Sequence, residues 1–342
     1  MKRILQLATL LFAAGALFTA CNNDMADPSV VPDEAQAQPE TRAFGDKTPI
    51  VVTYNECNDC DPRNALNYMI GDKAFFDVVI LFAFNVGVDA DGDPTLVLND
   101  NVTQIMSDVN KYIRPLQAKG IKVLLGLLGN HVGKGVSNLT PEEAQLYAKI
   151  AAYAVNLYGL DGVDFDDEYS KYGTNGFPNW NTTSFSNLIN ALRAELPAGK
   201  LITVFDYVSD TGGTSYINST ALGNLDYAWY CYFGANVFGS SFISGMPASK
   251  WSPQAINLNA NYNFITLPQI QNRSQQAKDG GYGAIMTYDL RPSSERSGTL
   301  NVLQRIATGA GFGTVTKVGN DYLKDWPSGG ATVTISKNDL PN

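Results

Sequence analysis

Short apolar runs alternate with amphipathic segments along the chain from about residue 48 onward. Eight of these runs have the near-continuous hydrophobicity of strands in a parallel sheet that is buried on both faces. Between them, apolar residues recur at a spacing of three to four, which is typical of helices packed on such a sheet. The predicted strands are 50–54, 78–84, 123–128, 162–168, 201–205, 227–233, 255–258 and 284–288.

Helix ends are marked by recognisable residues. Thr140, Pro141 and Glu143 predict an N-cap, a first-turn proline and a capping box, and Gly159 predicts the end of that helix. Pro115 should kink or restart the preceding helix, because proline lacks an amide hydrogen. Eight strand–helix units over about 265 residues predict an α/β fold, a single-domain (β/α)8 TIM barrel over residues 48–314. A doubly wound open sheet is the alternative, although no glycine-rich nucleotide-binding motif follows the first strand.

The N-terminal residues have the order of a bacterial lipoprotein signal peptide. Lys2 and Arg3 precede a short apolar stretch, and small residues then lead to Cys21, which would become the lipidated first residue. We therefore predict a signal peptide over 1–20, a flexible tether over 21–47, and a C-terminal extension over 315–342. The protein would be an exported lipoprotein at the cell surface or in the periplasm, touching the membrane only through its lipid. An ordinary secretory signal is the alternative.

Composition excludes several classes of function. The 342 residues include 33 acidic and 24 basic ones, and a net charge of −9 argues against nucleic-acid binding. The single histidine, His131, excludes a multi-histidine metal site. Cys57 and Cys60 form a CxxC without further nearby ligands, which favours a local disulfide or two free thiols over zinc. Cys231 lies in an apolar run and is predicted to be buried. We expect a monomer without a metal or organic cofactor.

The most informative stretch is an acidic run inside an apolar strand. Five acids occur within residues 161–168. Because side chains alternate along a strand, Asp164, Asp166 and Glu168 share one face, and Glu168 lies nearest the C-terminal rim where barrel enzymes react. Asp161 and Asp167 fall on the other face, and Asp161 is predicted to be structural, bonded at the start of the strand.

Crowded carboxyl groups have a specific chemical consequence. Like charges raise each other's pKa, so one proton should stay within the set at neutral pH. A carboxyl group that keeps its proton can protonate a leaving oxygen as a general acid. A solvated acidic loop or a calcium site is the alternative, but Gly162 and Phe165 do not suit a solvated loop, and the run lacks the EF-hand order.

This stretch resembles the DxxDxDxE motif of glycoside hydrolase family 18. Residues 158–169 are similar to those of bacterial endo-β-N-acetylglucosaminidases of the endoglycosidase H and F type. The resemblance extends over roughly residues 48–310, and the segments that carry it outside the acidic run are 113–117, 120–125, 128–131, 225–229 and 281–288.

The resemblance implies a retaining hydrolase that cuts between the two GlcNAc units of N-linked glycans on glycoproteins, with assistance from the substrate's own acetamido group. Carried over by motif, Glu168 would be the general acid and then the general base. Asp166 would orient the acetamido group and stabilise positive charge, and Asp164 would support Asp166. The likeness to endoglycosidase H points to high-mannose chains.

Further substrate-binding residues are predicted on other strands. The family's tyrosine on the sixth strand is placed at Tyr232, with Tyr230 on the same face as second choice, although residues 230–233 depart from the family's Asn-Pro-Tyr-Tyr. Tyr288 would stack on a sugar or pack in the barrel core, and Asn130 would contact sugar hydroxyls or cap a loop. Trp229 falls on the opposite face of the predicted strand from Tyr230 and Tyr232, so it is predicted to pack against the helices.

Two other functions remain open at this point. A chitinase of the same family often carries an inserted subdomain before strand eight, but here only 25 residues lie between Leu258 and Ala284. A glycan-binding barrel without activity would be expected to lack the acid, whereas Glu168 is present.

Overall fold

Fourteen β-strands are found in the residues that the computed structural model describes, which are 44–207, 213–295, 297–327 and 329–341. The predicted signal peptide, Cys21 and most of the tether lie outside the described residues. In chain order the strands are β1 (Ile50–Glu56), β2 (Tyr68–Ile70), β3 (Lys73–Ala74), β4 (Val78–Val88), β5 (Pro94–Leu98), β6 (Lys122–Leu128), β7 (Gly162–Asp166), β8 (Leu201–Asp206), β9 (Tyr227–Tyr230), β10 (Trp251–Ser252), β11 (Ala255–Asn257), β12 (Ala284–Tyr288), β13 (Val315–Lys317) and β14 (Val333–Ile335).

Eight α-helices lie between or after these strands in the described part of the chain. They are α1 (Asp100–Ser107), α2 (Val109–Tyr112), α3 (Arg114–Ala118), α4 (Pro141–Tyr158), α5 (Ser184–Glu195), α6 (Ser219–Asn224), α7 (Leu267–Asp279) and α8 (Thr299–Ala310). None of the helices in the described ranges is long and apolar enough to cross a membrane.

A parallel barrel forms the centre of the fold. Its strands follow the order β10-β9-β8-β7-β6-β4-β1-β12-β11. The seventh strand of the barrel is split into β10, which pairs with β9, and β11, which pairs with β12. Pro253 lies between the two pieces, and the Ser252 hydroxyl there accepts a hydrogen bond from the Met286 amide at 2.9 Å. The (β/α)8 prediction is confirmed, since each predicted run supplies a barrel strand.

Alternate side chains of the strands enter two separate cores, as the period of a strand requires. The outward set, such as Val51, Val163 and Val204, packs against the helices. The inward set fills the lumen and includes Ile50, Val52, Tyr54, Val78, Ile80, Leu124, Phe205, Trp229, Cys231 and Met286. The lumen is therefore packed, which leaves the C-terminal rim of the barrel for a site.

The predicted helix ends are confirmed. The Thr140 hydroxyl accepts from the Glu143 amide at 3.2 Å, and the Glu143 carboxylate accepts from the Thr140 amide at 2.8 Å. Gly159 ends α4 with a left-handed φ of 62°. Pro115 stands in the first turn of α3, which restarts the helical segment after a break at Ile113.

Several strand boundaries differ from the predictions, as the ends of three strands illustrate. β7 ends at Asp166 rather than at residue 168, and β9 ends at Tyr230 rather than at residue 233. β4 continues to Val88 and turns into an antiparallel pairing with β5. In each case the residue pattern did not mark the end of strand pairing, because pairing depends on a neighbouring strand and not on the run itself.

The segment predicted as a C-terminal extension packs against the first half of the chain. β13 pairs antiparallel with β2, and β14 pairs antiparallel with β5. The Trp326 ring lies against Tyr112 with centroids 5.2 Å apart, and its indole nitrogen donates to Asn101 at 3.1 Å. The described residues of this segment, 315–327 and 329–341, are thereby tied to the hairpins and helices near the start of the barrel.

Candidate active site

Two of the predicted acids point into the barrel from β7. Asp164 and Asp166 alternate with Val163 and Phe165, which are buried in the outer core. Glu168 lies just beyond the end of β7 and is half-buried at the rim. The strand period thus places Asp164 deep in the lumen, Asp166 above it, and Glu168 at the opening.

Asp164 is held by hydroxyl groups from two other strands. Its carboxylate accepts from Tyr54 on β1 at 2.5 Å and from Thr203 on β8 at 2.6 Å. The Trp229 indole nitrogen donates to the same Tyr54 oxygen at 3.3 Å. Burial raises the pKa of Asp164 to about 7, although these donors oppose the rise. The hydroxyl groups fix the position of the buried Asp164 side chain. A pKa of about 7 makes this carboxyl group close to half-protonated at neutral pH.

Asp166 lies in a less satisfied environment. Its Oδ1 atom is buried without a hydrogen-bond partner in the described part of the chain. Burial is the main cause that raises the pKa of Asp166 well above its usual value, and the charges of Glu168 and Asp164 add to it. This direction is the one expected for crowded carboxyl groups, and it favours retention of a proton by this group.

A cavity of about 320 Å³ opens above these acids. Asp166 and Glu168 form its acidic side, and aromatic rings form most of the remainder. Phe205 and Phe233 are stacked with ring centroids 5.8 Å apart, and Tyr288 packs on Phe233 at 5.0 Å. Such a cavity, mostly apolar with a few converging polar groups, is typical of a small-ligand site. The full lining is Tyr54, Glu56, Phe82, Asp166, Glu168, Tyr169, Phe205, Cys231, Phe233 and Tyr288.

The other predicted substrate-binding residues differ in where they lie relative to the cavity. Tyr288 lines the cavity, but Tyr232 is 43% exposed and packs edge-on against Tyr230 and Tyr207 outside it. Asn130 is exposed in the loop after β6 and does not line the cavity.

The predicted packing of Trp229 against the helices is wrong. Trp229 is fully buried in the lumen, whereas its neighbour Tyr230 packs in the outer core. Cys231, the residue after β9, lines the cavity, whereas Tyr232 is exposed at its edge, where burial and then neighbouring groups that include the charge of Glu168 raise the pKa of Tyr232. An apolar strand with aromatic residues on both faces carries no signal in its own sequence for which face turns inward.

Three lumen residues were not predicted to lie there from the sequence. Tyr54, Glu56 and Trp229 all face the acids of β7, but they come from strands far away along the chain. The sequence of β1 could have predicted two of them, because alternation from Ile50 and Val52 places Tyr54 and Glu56 on the lumen face.

The remaining acids of the run are structural. Asp161 accepts from the Val123 amide at 3.0 Å and from Gln117 at 2.7 Å, as predicted for the start of the strand. Asp167 is buried and accepts hydrogen bonds from the hydroxyls of Ser137 and Tyr172. It joins the loops that follow β6 and β7, directly beside Glu168.

The cysteines are buried and free in the described structure. Cys57, Cys60 and Cys231 are thiols, which agrees with one of the two alternatives for the CxxC and with the predicted burial of Cys231. Burial raises the pKa of Cys60 and Cys231 to about 12, so these thiols stay protonated at neutral pH.

An acidic group that could hold a cation lies in the turn between β4 and β5. Oxygen atoms of Asp89, Asp91 and Asp93 lie within 4.8 Å of one another. The Lys337 ammonium group is 2.7 Å from both Asp91 and Asp93, so a side chain of the C-terminal segment neutralises this group. None of these residues lines the cavity above β7.

Comparison with known proteins places this site in a family. No protein-family model matches the chain. The chain is 38% identical over 263 residues to "Endo-beta-N-acetylglucosaminidase" of Flavobacterium sp. (strain SK1022), covering 76% of this chain and 81% of the relative. It is 32% identical over 285 residues to "Endo-beta-N-acetylglucosaminidase F1" of Elizabethkingia meningoseptica, covering 81% and 82%.

Solved structures agree with this placement. EndoBT-3987 of Bacteroides thetaiotamicron, with a Man5GlcNAc product, superposes with a TM-score of 0.66 at 26% identity, covering 82% of this chain and 65% of that one. The same enzyme with a Man9GlcNAc2Asn substrate gives the same TM-score and identity, with 70% of that chain covered. A putative chitinase A of Streptomyces coelicolor shares the fold at a TM-score of 0.56 and 13% identity. The chain belongs to the endo-β-N-acetylglucosaminidases, glycoside hydrolases of family 18.

Proposed function

We propose that this enzyme cleaves the bond between the two GlcNAc units in the core of N-linked glycans and leaves one GlcNAc on asparagine. The observation that carries the proposal is one cavity lined by Asp166 and Glu168 with the buried Asp164 behind them. Curated relatives that bear the endo-β-N-acetylglucosaminidase name support the choice of substrate.

The proposed mechanism uses the substrate's acetamido group as nucleophile. Its carbonyl oxygen attacks C1 while Glu168 gives a proton to the leaving oxygen, so that the glycosidic bond breaks and an oxazolinium ion forms. Glu168, now a carboxylate, removes a proton from water, which attacks C1 and reopens the ring. Two displacements at C1 retain its configuration.

Asp166 and Asp164 would support the charged intermediate. The buried Asp166 oxygen without a partner among the described residues is available to accept the acetamido N–H. Ionisation of Asp166 becomes more favourable as positive charge develops on the substrate, because an opposite charge lowers a carboxyl pKa. Asp164, half-protonated near neutral pH and bonded to Tyr54, can share a proton with its neighbour.

High-mannose glycans are the proposed substrates among N-glycans. Support comes from the solved relative EndoBT-3987, which was crystallised with Man9GlcNAc2Asn. An open rim above the cavity suits a branched glycan, since the acids lie at its floor and side rather than in a closed tunnel.

The first test compares the wild-type enzyme with Glu168→Gln on a high-mannose glycoprotein, using intact mass. We expect the product to keep one GlcNAc, and Glu168→Gln to lower the rate by at least about 10²-fold, the usual contribution of a general acid. Glu142→Gln, the same change at an exposed position on α4, serves as the control.

Other results would contradict the proposal. Cleavage of chitin oligomers in place of the glycoprotein would indicate a chitinase, and binding without turnover by the wild-type chain would indicate a glycan-binding barrel. NMR of the freshly released sugar tests retention, because a first-formed α-anomer would exclude the double-displacement mechanism.

A further inference from the structure

Glu56 is an acid of the cavity that the proposed mechanism does not use. It is the last residue of β1, where Ile50, Val52 and Tyr54 point into the lumen. Alternation along the strand directs Glu56 to the same side, one level above Tyr54 and at the C-terminal rim. The side chain lines the cavity that Glu168 also lines.

The carboxyl group of Glu56 is not used to hold the fold together. Its backbone carbonyl accepts from the amides of Asp59 and Cys60, which fixes the turn after β1. No hydrogen bond to the Glu56 carboxylate is found from any described residue, and the side chain is half-buried. The backbone of Glu56 is therefore fixed by the turn, and its side chain lines the cavity.

The nearest cation is engaged by other acids. The Arg291 guanidinium bonds Asp289 at 2.5 Å and lies 3.3 Å from Asp59. Burial and the charge of Asp59 raise the pKa of Glu56 to about 7, and Arg291 only partly opposes this. Near neutral pH the carboxyl group can thus both donate and accept hydrogen bonds, as sugar hydroxyls also do.

The other walls of the cavity offer few free polar groups. Phe82, Phe205 and Phe233 present apolar surface, and the Tyr54 hydroxyl is already bonded to Asp164. The Tyr288 hydroxyl is a second polar group on this side, and burial together with the charge of Glu56 raises its pKa to about 12. A sugar ring between these walls would pack its apolar face on the rings, but its hydroxyls would need a polar partner on the side of β1. Glu56 is the acid at that position.

We propose that Glu56 is a substrate-binding residue whose carboxyl group hydrogen-bonds hydroxyls of the sugar held in the cavity, on the side away from Asp166 and Glu168. This inference rests on the proposed function for the identity of the sugar. It assigns Glu56 to holding the ring in place, while proton transfer stays with Glu168.

Steady-state kinetics of Glu56→Ala and Glu56→Gln test the proposal. Removal of the carboxyl group should raise KM about tenfold and change kcat by less than about threefold. The lost hydrogen bonds would have stabilised the bound substrate and the transition state equally. Glutamine keeps the shape and both kinds of hydrogen bond, so Glu56→Gln should restore most of the affinity. Glu142→Ala, which removes the carboxyl group of an exposed glutamate on α4 outside the cavity, should leave KM unchanged.

A binding measurement keeps this test independent of turnover. In the Glu168→Gln background, addition of Glu56→Ala should weaken binding of a high-mannose glycopeptide about tenfold by calorimetry. An unchanged KM and affinity in Glu56→Ala would overturn the inference, and so would an equal fall of kcat and kcat/KM with KM intact. Absence of turnover in the wild-type enzyme would instead refute the proposed function, and the calorimetry would still decide the role of Glu56. Thermal unfolding of each variant identifies any loss of folding.

Discussion

At the scale of single residues, the acids of one strand differ because their partners differ. Asp164 accepts from two hydroxyl groups, whereas one buried oxygen of Asp166 has no partner among the described residues. Asp167, one residue further along, is committed to two loop hydroxyls. A buried carboxyl oxygen without a donor is costly to the folded state, and such a cost is typical of a group kept for chemistry.

Asp166→Asn should stabilise the protein, and increasingly so as pH rises. The folded-state pKa of Asp166 is well above its usual value near 4, so the unfolded chain releases this proton first. The contribution of Asp166 to stability therefore falls with rising pH from about 4 upward, by up to about 1.4 kcal/mol per pH unit, and asparagine removes that loss.

Thermal unfolding over a series of pH values measures this effect. The difference in stability between Asp166→Asn and wild type should widen from acid to neutral pH, while activity falls. Asp72→Asn, at an exposed position, is the matched control. A difference that stays constant or narrows with pH would contradict the prediction.

At the scale of elements, the loops after β6 and β7 continue side by side beyond the strands. The Gly129 amide donates to the Glu168 carbonyl at 3.0 Å, and the His131 amide donates to the Tyr169 carbonyl at 2.8 Å. A Cβ atom on Gly129 would lie 2.2 Å from the Glu168 carbonyl oxygen and 2.5 Å from the Ser170 amide nitrogen. Only glycine allows this close approach, so the loop after β6 sets the backbone position of Glu168, the proposed catalytic acid.

Gly129→Ala should therefore raise the activation free energy of turnover, seen as a lower kcat, by more than it lowers the free energy of unfolding. The methyl group forces the backbone at Glu168 to move, and displacement of a catalytic group by about 1 Å can cost about 10²-fold in rate. Turnover assays beside thermal unfolding measure the two effects.

Gly223→Ala is the control for this substitution. Gly223 lies in α6, and a Cβ atom added there would meet no described atom within 4 Å, so alanine should leave activity unchanged. A Gly129→Ala enzyme with wild-type kcat would show that the loop does not position Glu168.

At the scale of the whole molecule, the C-terminal segment closes the fold against its beginning. Val315, Trp326 and Ile335 are buried, and β13 and β14 add to strands near the first barrel units. Lys337, in the same segment, forms ion pairs with three aspartates of the turn between β4 and β5. These contacts lie outside the active-site cavity, so their role is stability.

Trp326→Ala should destabilise the protein by about 2–4 kcal/mol, because a large buried ring and its contact with Tyr112 are lost. Denaturant unfolding measures the change, and kcat at low temperature should remain that of the wild type. Substitution of the exposed Leu323 by alanine, in the same segment, should have little effect. A large loss of kcat in folded Trp326→Ala would contradict the separation of this segment from the site.

The sequence by itself determined the features that depend on neighbouring residues. Strand period placed Asp164 and Asp166 on one face, and the pattern of caps and glycines located α4, since both follow from local geometry. The acidic motif likewise indicated the enzyme family before any contact was known.

Only the tertiary structure decided which residues surround those acids. Tyr54 and Asp164 are 110 positions apart, and Tyr54 and Trp229 are 175 apart, yet they form one hydrogen-bonded chain in the lumen. The inward position of Trp229 on β9 also depends on pairing with β8 and β10. Barrel closure brings distant strands together and chooses which of two aromatic faces is buried inside, and no local pattern contains that choice.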